Sequence, residues 1–120
     1  MTAKRDALDA LEDIVKNMAL AREFVGEVRT IAQLEADPKT LYSLARALEV
    51  VGEATKRVPD SIRKRDPAIP WKEMAGMRDR LIHAYENVDV ELLLKTVRTR
   101  VPEVEPRVRD LLTRVSGEPE

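Results

Sequence analysis

At 120 residues, with 43% hydrophobic and 36% charged residues, the chain can build one domain around one core, but not two ordinary ones. Aromatic residues at 3% and only four glycines are too few for the strands and turns of a sandwich or barrel, so the composition points to amphipathic helices. The absence of Cys excludes disulfides and thiolate metal sites, and a net charge of −1 means that any contact with nucleic acid must rest on a local patch.

The N-terminal segment carries charges throughout and lacks the apolar core of a signal peptide. No apolar run approaches the ~18 residues of a membrane span, and the expected setting is a reducing cytoplasm. Leu8, Leu11, Ile14, Val15 and Met18 recur at helical spacing and predict a first helix from about Ala3 to Val25. Ile31 and Leu34 allow a short helix or an ordered loop after Gly26. Asp37-Pro38 reads as an N-cap followed by proline at the first helical position, opening a second long helix that stops near Arg57, before Pro59.

On that second helix Leu41, Leu44, Leu48, Val51 and Thr55 share a face, and Gly52 falls in its middle. A helical Gly costs about 1 kcal/mol against Ala, so its presence predicts close approach of another helix backbone. Tyr42, Arg46, Glu49 and Glu53 share a neighbouring face. Glu49 and Glu53 are either solvated carboxylates or, for one of them, the holder of an arginine from another helix. Val58 to Ile69 reads as a connector with one helical turn. Pro70 then opens a helix predicted to reach Tyr85, Glu86–Asp89 forms a turn, and Asp89 caps a helix with Val90, Leu93, Leu94 and Val97 inward. Pro102 is expected to break or kink it before Val104, Val108, Leu111, Leu112 and Val115 resume the pattern. The sum is an all-α antiparallel bundle of four to five helices, a single domain over residues 1–116 with a frayed tail at 117–120.

Reactive groups concentrate in Pro70–Asp89, which holds the only Trp and the only His. On a continuous helix with Met74 at zero, Met77, Leu81, Ile82 and Ala84 form the apolar arc, and Arg78 and Tyr85 fall within it at about 40° and 20°. An arginine there must be paired, and Glu49 or Glu53 is the expected partner. Asp79 and His83 stand at i,i+4, a spacing that lets the carboxylate orient the imidazole. On spacing alone a structural His and an arginine clamp explain the stretch as well as chemistry does.

One His and no Cys do not supply a zinc site, the Glu-x-x-His pairs of di-iron bundles are absent because Arg80 stands three before His83, and there is no nucleophile elbow. What these residues suit is metal-free acid–base cleavage of a phosphodiester, with an imidazole moving protons and an arginine stabilising the charged phosphate. RNA brings its own nucleophile, the 2′-hydroxyl. A symmetric dimer would supply both an acid and a base from one His per chain.

Arg78 to Tyr85 spells R-x4-H-x-Y, and Leu44–Pro59 with Ile69–Asp89 resembles the HepT-like toxins of the HEPN superfamily. The resemblance implies a dimerising helical bundle and a metal-independent endoribonuclease, the toxin of a toxin–antitoxin pair, with no cofactor. It implies that Arg78 and His83 are catalytic, that Asp79 helps to orient the site, and that Tyr85 accepts AMP from a minimal nucleotidyltransferase antitoxin. Glu49, Glu53 and Arg80 are candidate supporting residues, and Arg63, Lys64 and Arg65 could add to a basic cleft if they fold nearby. The rival readings are a non-catalytic helical module that holds a nucleotidyltransferase or a nucleotide, and a structural dimer whose Arg78 clamps a glutamate.

Overall fold

The computed structural model of the chain describes residues 2–83 and 87–119, with the backbone alone at His83 and Asn87. Helix α1 (Ala3–Val25) starts where the Thr2 side chain accepts from the Arg5 N–H at 3.0 Å. Ala10, Leu11, Ile14, Met18 and Ala21 turn inward at helical spacing. The helix ends at Gly26, whose φ of 46° is a backbone state that a residue with a Cβ rarely adopts. The short α2 (Ile31–Glu35) carries a capping box between Thr30 and Gln33 and buries Leu34.

Helix α3 (Pro38–Lys56) opens as the sequence predicts, with Asp37 accepting from Thr40 N–H at 3.2 Å and proline in the first turn. Leu44, Leu48, Val51 and Thr55 are buried against α1, and each fully buried aliphatic side chain contributes about 1.5–3 kcal/mol. Gly52 does what its position predicts. A Cβ there would stand 3.2 Å from the Met74 carbonyl oxygen and 3.4 Å from Met77 Cβ, so a larger residue would press the next helical segment away by a few tenths of an ångström.

The connector contains α4 (Asp60–Arg63). Arg63 does not join a basic cleft, because its guanidinium donates to the carbonyls of Thr55 (2.8 Å) and Val58 (3.0 Å) and so caps the end of α3. Trp71 anchors the same connector, its indole N–H shared between the carbonyls of Asp66 and Arg63.

The helix predicted from Pro70 to Tyr85 is two short pieces, α5 (Trp71–Ala75) and α6 (Met77–Leu81), joined at Gly76 with φ −87° and ψ 5°. It stops four residues early. Ile82 is extended (φ −111°, ψ 108°), and the Leu81 carbonyl accepts from Asp89 N–H at 2.8 Å instead of from a further helical turn. A minimal antiparallel hairpin comes next, β1 (Ile82–His83) against β2 (Asn87–Val88), pairing Ile82 with Val88 and His83 with Asn87. Ala84, Tyr85 and Glu86 lie outside the described residues, and with them the inward positions expected of Ala84 and Tyr85 and the start of the turn expected at Glu86.

Helix α7 (Val90–Lys95) is capped by Asp89, which accepts from Leu92 N–H at 3.0 Å. Pro102 does not break the C-terminal rod. Residues Thr96–Arg100 form one widened π-turn, with Val101 N–H reaching Thr96 O, and α8 (Val101–Ser116) continues from it along the same rod. The wider turn makes room for the Pro102 ring, which has no N–H and would crowd the Arg98 carbonyl in a regular α-helix. Beyond α8 the Glu118 carboxylate accepts from Arg65 at 2.7 Å, so Arg65 too is engaged away from Arg78. The result is an all-α bundle in which α1 packs along α3 and α8, and α5 and α6 lie across α3.

Candidate active site around Arg78

The close seat at Gly52 sets the site. With α6 lying on α3, Arg78 reaches Glu49 one turn before the glycine, and its Nε donates to Glu49 Oε2 at 2.9 Å. Arg46 donates to the other oxygen of the same carboxylate, Nη1 to Oε1 at 3.0 Å. The glutamate side chain is 22% exposed. Partial burial pushes its pKa up, but the hydrogen bonds and charges of Arg46 and Arg78 outweigh that and hold it below the ordinary glutamate range. Of the two expected partners, Glu49 holds the arginine. Among the described residues Glu53 pairs only with Lys56, at 3.3 Å on the solvated side of α3, the bland reading of that residue.

Arg78 itself is at the rim of the core and not within it. Its side chain is 48% exposed, against the apolar position given by the helical wheel. The break at Gly76 resets the angular phase between α5 and α6, so Met74, Met77 and Leu81 stay buried while Arg78 turns outward. Because Glu49 takes the Nε edge, the terminal Nη groups have only the long 3.9 Å approach of Asp79 among the described residues. That leaves a fork of charged donors presented to solvent, the arrangement suited to binding a phosphate.

The continuous helix needed for the i,i+4 pairing of Asp79 with His83 is not present. Asp79 stays on α6 and is largely exposed, whereas His83 belongs to the hairpin. The backbone of His83 lies on the outgoing strand, two residues past the end of α6, where it pairs with Asn87. Arg80 faces another way, toward Glu73 on α5 at 3.6 Å. Glu73 also accepts from Arg100 at 2.6 Å; that bond lowers its pKa and wins over partial burial, which raises it. Arg80 therefore ties α6 to the π-turn and does not line the Arg78 site.

A groove runs from this site along α3. It is lined by Glu49, Arg46, Ala45 and Tyr42 on one side and by Ile82 and Val88 of the hairpin on the other. Among the described residues no three His, Cys, Asp or Glu side chains come together as metal ligands.

A family model described as ribonuclease HepT-like matches residues 5–111, almost the whole helical bundle. The chain belongs to this family. Among its relatives is a protein of Thermococcus cleftensis named "Probable ribonuclease HepT", 44% identical over 90% of this chain and 97% of its own length. Two proteins of Methanocaldococcus jannaschii, "Putative RNase MJ0127" and "Putative RNase MJ1216", are 34% and 36% identical over 98% and 96% of this chain and 96% and 88% of theirs. No solved structure matches the chain significantly.

Within this HepT-like bundle, sequence reasoning missed two ionic centres. Glu105 on α8 is 4% exposed and accepts from Arg22 on α1 and from Arg109 at 2.8 Å. Its signal was an acid one residue after Val104, inside the apolar stripe of α8, with an arginine four residues on. The second is Glu73 with Arg100, which no spacing rule reveals because the π-turn shifts the register that brings them together.

Proposed function

We propose that this HepT-like protein is the toxin of a toxin–antitoxin pair, a cytoplasmic endoribonuclease that cleaves RNA without a metal ion at a cleft shared by two copies of the chain. Its family makes it a ribonuclease. The observation that carries the reading further is Arg78, anchored through Nε by Glu49, with its terminal donors open to solvent.

In the reaction the RNA 2′-hydroxyl attacks the adjacent phosphorus. One His83 takes the 2′ proton, and His83 of the second copy gives a proton to the departing 5′-oxygen. Products are a 2′,3′-cyclic phosphate and a 5′-hydroxyl end. Arg78 stabilises the extra negative charge on the phosphate in the transition state, and Asp79 adds a polar group beside it. Tyr85 is two residues past His83 in the sequence, and AMP attached there by a nucleotidyltransferase antitoxin would add a phosphate that repels the RNA backbone.

The test is cleavage of a single-stranded RNA by the purified protein in excess chelator. The reading expects cyclic-phosphate ends and no loss of rate. Cleavage that stops in chelator, or products with 5′-phosphate ends, contradicts it.

A further inference from the structure

Tyr42 is the most exposed large apolar side chain among the described residues, at 64%. The chain has only one Trp, two Tyr and one Phe, and the Trp is buried at the start of α5. Tyr42 stands on α3 two turns before Glu49, about 10 Å along the helix axis. It closes the far end of the groove whose near end holds the Glu49–Arg78 pair and the hairpin. Its hydroxyl makes no hydrogen bond among the described residues, so neither packing nor polar contact accounts for its place. Arg46, one turn on, is 73% exposed and bonds Glu49 through Nη1 alone, leaving its other donors and its flat face open.

We propose that Tyr42 and Arg46 form a nucleobase-stacking subsite for the RNA nucleotide next to the scissile phosphate, an inference that rests on the ribonuclease reading above. An aromatic face and a guanidinium plane are the surfaces on which single-stranded bases stack, and stacking of this kind tolerates any base. The groove supplies the remaining contacts. Ala45, Ile82 and Val88 give apolar walls and Arg46 a cation, while Arg78, bound to Glu49 at the near end of the groove, offers a second cation to a neighbouring phosphate. A phosphate on Arg78 would leave its base directed along α3 toward Tyr42. The subsite thus favours single strands over duplexes, whose bases are already stacked on one another. A groove with an open aromatic ring at its far end and two arginines on the glutamate at its near end matches a nucleotide better than the helix of a protein partner.

The experiment uses a short mixed-sequence single-stranded RNA and its fully 2′-O-methylated counterpart, which lacks the attacking nucleophile. Cleavage of the first and binding of the second by fluorescence anisotropy are measured for the full chain and for Tyr42→Ala, Tyr42→Phe and Arg46→Ala, with sedimentation of each. Tyr42→Ala is expected to lower kcat/KM about 5- to 100-fold and to weaken binding of the methylated RNA in parallel, while Tyr42→Phe, which keeps the ring, stays within about twofold of the wild type. Wild-type protein that binds the methylated RNA through Tyr42 but cleaves nothing supports the subsite and overturns the catalytic reading. Equal binding and cleavage by Tyr42→Ala overturns the subsite. A Tyr42→Ala variant that sediments as a smaller species and regains cleavage at high protein concentration also overturns it, and assigns the face to a second copy of the chain.

Discussion

Glu105 and Glu49 are each gripped by two arginines, yet the two centres are built for different ends. Glu105 is sealed between α1 and α8, and Arg22 clamps it with two donors, Nε and Nη2, while Arg109 takes a third place. Glu49 is partly open, and Arg78 gives it a single donor, keeping its terminal groups toward solvent. In both, burial alone would raise the carboxyl pKa, and in both the arginines outweigh it and hold it low. The chemistry of the pair is thus shared. What separates a structural latch from a candidate active centre is which edge of the guanidinium the carboxylate uses and what is left facing water.

The comparison breaks most severely at the histidine. His83→Ala should lower cleavage by about 100-fold or more with the thermal transition unchanged, because its part in the account is proton transfer and not packing. A parallel loss of thermal stability would move His83 to the side of the latch. Gly52→Leu should cost about 3 kcal/mol of stability by forcing α6 off α3, and cleavage should fall with it because Glu49 no longer reaches Arg78. Chemical denaturation and a cleavage assay on the same preparation measure both.

Glu105→Ala should cost about 2 kcal/mol, since its arginines are half exposed and can rehydrate, and should leave cleavage by the folded fraction intact. Glu49→Gln should do the reverse. It keeps the shape, weakens the grip on Arg78 and lowers kcat about tenfold with little change in stability.

The smallest effect is in acid. The folded pKa of Glu105 lies below its unfolded value of about 4.3, so the stability it contributes is complete above that value and is lost as pH falls through the folded pKa. Glu105→Gln should therefore flatten the stability profile below about pH 5. An unchanged acid limb would show that other carboxylates dominate it.

Much of this was legible because local rules and packing agree. Asp37-Pro38, the Asp89 cap and the period of α1 each mark a boundary that tertiary contacts leave alone. Gly52 announced a close helix contact, and Glu49 was one of two named partners for Arg78. The failures come where one register does not continue. Gly76 resets the phase, so a wheel drawn through it buried Arg78, and the exchange of the Leu81 carbonyl to Asp89 ends the helix at a point no propensity rule marks. The π-turn hides in the same way, because Pro102 signals a disturbance but not that the helix will widen and continue.

Arg78 is assigned to chemistry and Arg22, in a like pair, to the fold. Arg78→Ala and Arg22→Ala measured side by side for unfolding free energy and for kcat/KM on single-stranded RNA test it directly. Arg78→Ala should lose about 100-fold or more in cleavage and stay within about 1 kcal/mol of wild-type stability. Arg22→Ala should lose about 2 kcal/mol and cleave normally where folded. An Arg78→Ala variant that is destabilised as much as Arg22→Ala, with activity following only the folded fraction, would make Arg78 a structural clamp and contradict the account.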